Sequence, residues 1–379
     1  MQALGNARVL TDDGFVSDRV LLIDGERIVG LVAKDDPRLV KAERRDLRGG
    51  YLMPGFIDCQ VNGGGGVLFN DDPSVEAIRA IGRAHRRYGT TGFLPTLISD
   101  DLSVISRAIA SVRAAMEAHV PGVIGVHIEG PFINALRKGV HDPAKLRQLD
   151  AQNVELLASL GIGRTLVTLA PEVTQPETIR KLADSGVVVS AGHTDGTFDQ
   201  VAEAFRHGVS GVTHLFNAMS PFTHREPGAV GAALSDDNSW CGLIVDGHHV
   251  HPAALKLALR CKRPDRFMLV TDAMPCVGSQ RDSFMLQGKR ITVKDGVCED
   301  ENGTLAGSAI DMASAVRNTV AMLGVPLEQA ARMASAYPAE FLGLAEQVGR
   351  IAPGYRADLV LCDERLQVLE TWIDGHSSR

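Results

Sequence analysis

At 379 residues, with 45% hydrophobic and 22% charged residues, the chain is long enough to bury a large core. A formal charge of −7 without any Lys/Arg run argues against general nucleic-acid binding. Six scattered cysteines with no CxxC pair argue against a disulfide framework, and no apolar leader or membrane-length segment is present, so cytoplasm is the expected compartment, without membrane attachment. The first fifty residues read as β structure, with a hairpin pattern over 20–32 centred on the turn pair Asp24-Gly25. The pattern then changes to strand, loop and helix in repetition. Strands are expected at 52–59, 91–97, 123–129, 165–170, 187–193, 211–214, 241–246 and 267–272. Helical stretches are expected at 75–88, 102–119, 143–160, 176–185, 198–207 and 252–261, and two more, 309–323 and 327–342, after the last strand. Two final β runs, 357–362 and 366–372, resemble the N-terminal segment, and neither end is long enough for a core of its own.

Eight strands alternating with helices predict an α/β fold, a (β/α)8 TIM-like barrel. The two ends are expected to pair into a small β-sandwich domain, residues 1–52 with 349–379, leaving 53–348 as the barrel. A doubly wound open sheet is the alternative, but no dinucleotide fingerprint or Walker motif follows the first strand.

Barrel chemistry sits at the carboxyl ends of the strands. Those ends carry Gln60 and Asn62, then Glu129, His193, His214, Asp246 with His249, and Asp272. His193 and His214 lie about one βα unit apart, which places them on neighbouring strands pointing at one axis. Two imidazoles and a carboxylate make the three-ligand set of a catalytic zinc. A lone histidine is more often a core residue, but three ligand types at matching strand ends make coincidence a poor account. Asp272 ends an otherwise uncharged strand, as a turn cap or as a general base. His141 follows strand three, as a carbonyl-polarising group or a plain loop residue. The run 215–229 is a long breaker-rich loop of the kind that binds ligands, and its Arg225 offers a bidentate anion donor.

The phrases Met-Pro-Gly-Phe-Ile-Asp (53–58), His-Ile-Glu-Gly-Pro-Phe (127–132), Ala-Gly-His-Thr (191–194), Thr-His-Leu-Phe-Asn-Ala-Met (213–219) and Thr-Asp-Ala-Met (271–274) resemble the amidohydrolase superfamily. Within it they resemble the N-acetylglucosamine-6-phosphate deacetylase family, over nearly the whole chain. The resemblance implies metal ligands Glu129, His193 and His214, a catalytic base Asp272 and acetamide recognition by His141. It implies sugar-phosphate contacts from Asn217, Ala218 and His249, and a site lined by the backbone of Leu305, Ala306 and Gly307. It further implies a homodimer in which Arg225 reaches the neighbouring subunit's phosphate. One departure matters: the superfamily's His-x-His is Gln60-Val61-Asn62 here, and amides are poor zinc ligands. One divalent ion per subunit is therefore expected, zinc first, with iron, cobalt or manganese as alternatives, and a second, weakly held ion near Gln60 and Asn62 as an open question.

The implied reaction is hydrolysis of N-acetyl-D-glucosamine 6-phosphate to D-glucosamine 6-phosphate and acetate. The rivals are another amidohydrolase activity, dihydroorotase-like or on N-acyl-amino acids, and a catalytically silent barrel serving as a binding protein. An idle site has no need of four costly polar residues, which argues against the last.

Overall fold

A computed structural model describes residues 1–379. Its centre is an eight-stranded parallel sheet rolled into a (β/α)8 barrel. The strands, in chain order and in ladder order, are Phe56–Val61, Thr90–Ile98, Gly125–Glu129, Arg164–Leu169, Val188–Ala191, Val209–Val212, Trp240–Leu243 and Phe267–Leu269. They are referred to below as strands one to eight. Nearly every residue in them is buried, because side chains on one face meet the barrel interior and those on the other meet the helices. Every neighbouring pair from strand one through strand eight is laddered, but the seam between eight and one is not. It is closed by one isolated bridge, Val61 with Ala273, and by side chains.

Around the barrel run helices whose starts follow local capping rules. Ser74 Oγ accepts from Ala77 N at the head of Val75–Arg86, and Thr197 with Gln200 forms a reciprocal cap on Phe198–Arg206. The helix expected over 143–160 is shorter, Ala151–Leu157, because a single 3₁₀ turn at Pro143–Lys145 and an extended segment precede it. The stretch 327–342 divides into Leu327–Met333 and Ala336–Phe341, with Ser335 out of helical geometry between them. One helix has no counterpart in the sequence reading: Gly228–Ser235, which starts at the end of the 215–229 loop and runs through residues given no element. It is buried on almost every side and so shows no polar face, and a side chain on Gly231 would strike Pro227 at 2.3 Å.

The two chain ends build a sandwich below the barrel. Tyr51–Pro54 belongs to it rather than to strand one: it pairs with Arg8–Thr11 and with Leu359–Cys362 in a six-stranded sheet. The N-terminal hairpin, Arg19–Asp24 with Arg27–Ala33, lies in a second, four-stranded sheet, and its two-residue turn is Gly25-Glu26, one position beyond the expected pair. Leu4, Leu21, Ile23, Leu52, Leu359 and Trp372 fill the space between the sheets. After strand eight comes an inserted four-stranded antiparallel sheet, Ser283–Leu286, Lys289–Lys294, Val297–Glu299 and Leu305–Ser308, which the sequence reading does not resolve. No helix is long and apolar enough to cross a membrane.

Candidate active site

Glu129 is the last residue of strand three and is 2% exposed. His193, His214 and Asp272 stand just past the ends of strands five, six and eight, with left-handed φ values of 49°, 34° and 53°. Such backbone is uncommon outside glycine, costs roughly 1–3 kcal/mol per residue, and persists where the surrounding fold imposes it. Here it turns polar side chains inward over the barrel mouth.

The result is a tight cluster. His193 Nε2 and His214 Nε2 lie 3.2 and 3.0 Å from Glu129 Oε1 and 3.1 Å from each other. His193 Nδ1 sits 2.8 Å from the Arg137 carbonyl, an acceptor, so Nδ1 carries the proton and Nε2 presents a lone pair. Burial alone would raise the Glu129 pKa, but positive charge at the positions of the His193 and His214 rings outweighs it and holds the carboxyl well below its ordinary range. A carboxylate oxygen crowded by ring lone pairs at these distances calls for positive charge among them. The three residues fit a divalent cation in donor type and spacing, with outer support at His193, while His214 Nδ1 is buried without a partner.

Asp272 faces this cluster across two amides. Gln60 Nε2 lies 3.0 Å from each oxygen of Glu129 and 3.2 Å from Asp272 Oδ1, and Asn62 Nδ2 donates to the same Oδ1 at 2.6 Å. Burial and then the Glu129 charge push the Asp272 carboxyl up to about 7, against the opposing pull of His214, His249 and Asn62. A carboxyl in that range is matched to proton transfer near neutrality. His141 packs its ring against His193, centroids 4.4 Å apart. The Ser99 N–H, which can only donate, points at His141 Nδ1 at 3.3 Å, and Ser99 Oγ lies 2.7 Å from the same atom. Nδ1 is thus the acceptor and Nε2 carries the proton. Burial, then the nearby His193 charge, depresses the His141 pKa well below its usual value, so the ring is a neutral Nε2–H donor.

The loop after His214 is strapped to the loop after His193. Thr194 N donates to Ala218 O at 3.1 Å and Ser220 N to Thr194 O at 2.9 Å. Ala218 takes φ 49°, and the Asn217 amide hydrogen-bonds the His214 carbonyl at 3.1 Å. His249 Nδ1 pairs with Asp246 Oδ2 at 2.6 Å, both side chains less than 10% exposed. Burial works against the His249 charge, but the hydrogen bond and charge of Asp246 prevail and raise its pKa. The strand Leu305–Ser308 lies along the segment carrying Asp272, with Ser308 N donating to Asp272 O at 2.8 Å. Arg225 alone stands apart: it is exposed and makes no hydrogen bond or ion pair within its own chain.

The amidohydrolase family model matches residues 51–377. The chain belongs to the amidohydrolase family. N-acetylgalactosamine-6-phosphate deacetylase of Shewanella sp. (strain ANA-3) is 44% identical to this amidohydrolase over 87% of the chain and 83% of that protein. N-acetylglucosamine-6-phosphate deacetylase of Haemophilus influenzae is 34% identical over 98% of both. The crystal structure of N-acetylglucosamine-6-phosphate deacetylase from Pasteurella multocida superposes with a TM-score of 0.96 at 35% identity, covering 100% of this chain and 99% of that one.

Three polar groups of this amidohydrolase escape a reading by strand ends. Ser99, after strand two, is one that the same rule points to once strand two is included. Asp58 lies inside strand one, where its buried carboxyl takes Thr271 Oγ1 at 2.5 Å and Gln60 N at 3.2 Å, and burial pushes it up to about 7. His127, inside strand three, bonds Thr168 Oγ1 at 2.8 Å beneath the cluster, and burial drives its pKa down to about 4. No spacing rule singles out either. A separate cavity of about 280 Å³ lies at the opposite end of the barrel, lined by Asp12, Arg332, Glu340 and Arg350, and holds no cluster of metal-ligating groups.

Proposed function

We propose that this amidohydrolase removes the acetyl group from N-acetyl-D-glucosamine 6-phosphate, giving D-glucosamine 6-phosphate and acetate. The observation that carries the reading is the convergence of Glu129, His193 and His214 with Asp272 and a neutral His141 at one rim of the barrel. The catalytic unit is the barrel, which starts after Pro54 rather than at the expected residue 53 and runs to 348, supported by the β domain of 1–54 with 349–379. Glu129, His193 and His214 hold one divalent ion, zinc in the first instance because two imidazoles and a carboxylate suit it, with iron, cobalt and manganese as alternatives that accept the same donors. When bound, such an ion supplies Lewis-acid polarisation and lowers the pKa of a water. Asp272 accepts the proton of the attacking water and returns it to the amine nitrogen as the C–N bond breaks. His141 donates its Nε2–H to the acetamide oxygen, where negative charge develops. His249, Asn217 and the backbone of Ala218 and of Leu305, Ala306 and Gly307 seat the sugar phosphate. Arg225, without a partner in its own chain, serves the phosphate of a neighbouring subunit in a homodimer, and the enzyme works in the cytoplasm.

A second reading is the C4 epimer, N-acetylgalactosamine 6-phosphate, favoured by the name of the relative from Shewanella. Both sugars present the same acetamide at C2. Acetate release from each phosphorylated sugar, from unphosphorylated N-acetylglucosamine and from dihydroorotate, with and without chelator, tests the reading. Turnover confined to a phosphorylated sugar and abolished by chelator is expected. Chelator-resistant turnover, or preference for dihydroorotate, overturns it.

A further inference from the structure

The inserted sheet after strand eight reaches the site at two places. At one end Leu305–Ser308 bonds the backbone of Asp272. At the other, the turn between Ser283–Leu286 and Lys289–Lys294 places Gln287 in left-handed backbone, φ 48°. The side-chain amide of Gln287 spans two segments of the barrel rim. Its Nε2 donates to the Ser99 carbonyl at 2.7 Å, and its Oε1 accepts from the Asp142 N–H at 2.6 Å. Ser99 supplies both groups that hold His141 Nδ1, and Asp142 is the residue following His141. One amide therefore clamps both sides of the seat of His141. Ser99 is fully buried, so its carbonyl needs such a partner.

We propose that Gln287 is a positioning residue for His141, holding the imidazole in the tautomer and direction in which Nε2–H meets the substrate carbonyl. The inserted sheet is then the brace that ties the carbonyl-polarising group to the base Asp272. This rests on the reading of His141 given above. The same bonds would look alike in a purely structural latch, but only a positioning role acts through His141. A double-mutant cycle separates the two.

Steady-state kinetics on the better phosphorylated sugar would compare the wild type, Gln287→Ala, His141→Ala and the double variant, with melting temperature and metal content recorded for each. Gln287→Ala is expected to lower kcat by about 10- to 100-fold, the scale of a misdirected catalytic group, with KM nearly unchanged. In the His141→Ala background it is expected to cost nothing further. Gln287→Glu keeps the size and the Asp142 bond but loses the donor to Ser99, and is expected to fall with Gln287→Ala. Equal loss in both backgrounds, or full activity in Gln287→Ala or in Gln287→Glu, overturns the proposal. Full activity in His141→Ala alone shows instead that the reading of His141 has failed, and the latch with it.

Discussion

Three independent constraints meet at Asp272: an amide pair on one oxygen, a backbone tie to the inserted sheet, and an anionic neighbour. Asp272→Asn keeps the shape and removes the proton acceptor. Turnover is expected to fall by ~10²–10⁴-fold while metal content and substrate affinity persist. Metal analysis and a binding titration beside the kinetics check this, and loss of metal in step with activity would remove Asp272 from the base role. His249 gives a pH dependence. Its pKa is raised by Asp246, and the protonated ring is the form that attracts phosphate. The ring's contribution is full at low pH and is lost as pH rises through the elevated pKa. Since phosphate monoesters are essentially dianionic above roughly pH 7, a rise in KM above neutrality reports the ring. Asp246→Asn should move that rise to lower pH, and a KM profile unchanged by the substitution refutes the assignment. At this scale the strand-end rule makes Glu129, His193, His214 and Asp272 visible, because an isolated charge after an apolar run has few structural uses. Gln287 stays hidden, because its importance lies in partners distant along the chain, whereas Ser99 is missed only because the end of strand two was passed over.

The loop after strand six shows what an element contributes beyond its residues. Its base is held near the Glu129–His193–His214 cluster by the Thr194–Ala218 and Ser220–Thr194 bonds, while Phe222 and Arg225 stand in solvent. A charged group with no partner, on a loop rooted at the site, is placed to meet a ligand or another chain. Arg225→Ala is expected to raise KM for the phosphorylated sugar about ten- to a hundredfold, the equivalent of roughly 1.5–3 kcal/mol for a lost charge-assisted bond. The unphosphorylated sugar should be far less affected, and parallel KM measurements decide it. The barrel strands were legible as elements because each is a short apolar run bounded by breakers. Gly228–Ser235 was not, since a helix buried on nearly all sides has no polar stripe to give it a period. The inserted sheet was not either. Lys289–Lys294 and Val297–Glu299 are short and largely exposed, so burial imposes little alternation on them.

For the whole molecule, the dimer reading has its own test. Mixing Arg225→Ala subunits with Asp272→Asn subunits should produce some dimers in which one site has both an intact base and an intact arginine, and activity should reappear. No recovery after verified subunit exchange places the arginine in its own subunit's site. The small domain, in which the two ends of the chain pair through Tyr51–Pro54 and Leu359–Cys362 within one six-stranded sheet, was foreseeable in outline from their β runs. Which strand joined which sheet was not, because Leu52 and Phe56 read as one continuous run until the backbone divides them between two sheets.

The unladdered seam of the barrel separates the site's two halves mechanically. Glu129 ends strand three and His193 and His214 follow strands five and six, all carried by the continuous ladder, whereas Asp272 hangs from strand eight, beside the gap. Across that gap the backbone offers one bridge, and the Asp58–Thr271 contacts with the Gln60 and Asn62 amides do the rest. Local opening begins where few backbone bonds must break. On gentle heating, amide exchange at Thr271 and Ala273 should therefore outpace that of strands three to six, and catalysis should fade while the cation is still retained. Simultaneous loss of both would mean that the barrel opens as a single cooperative unit.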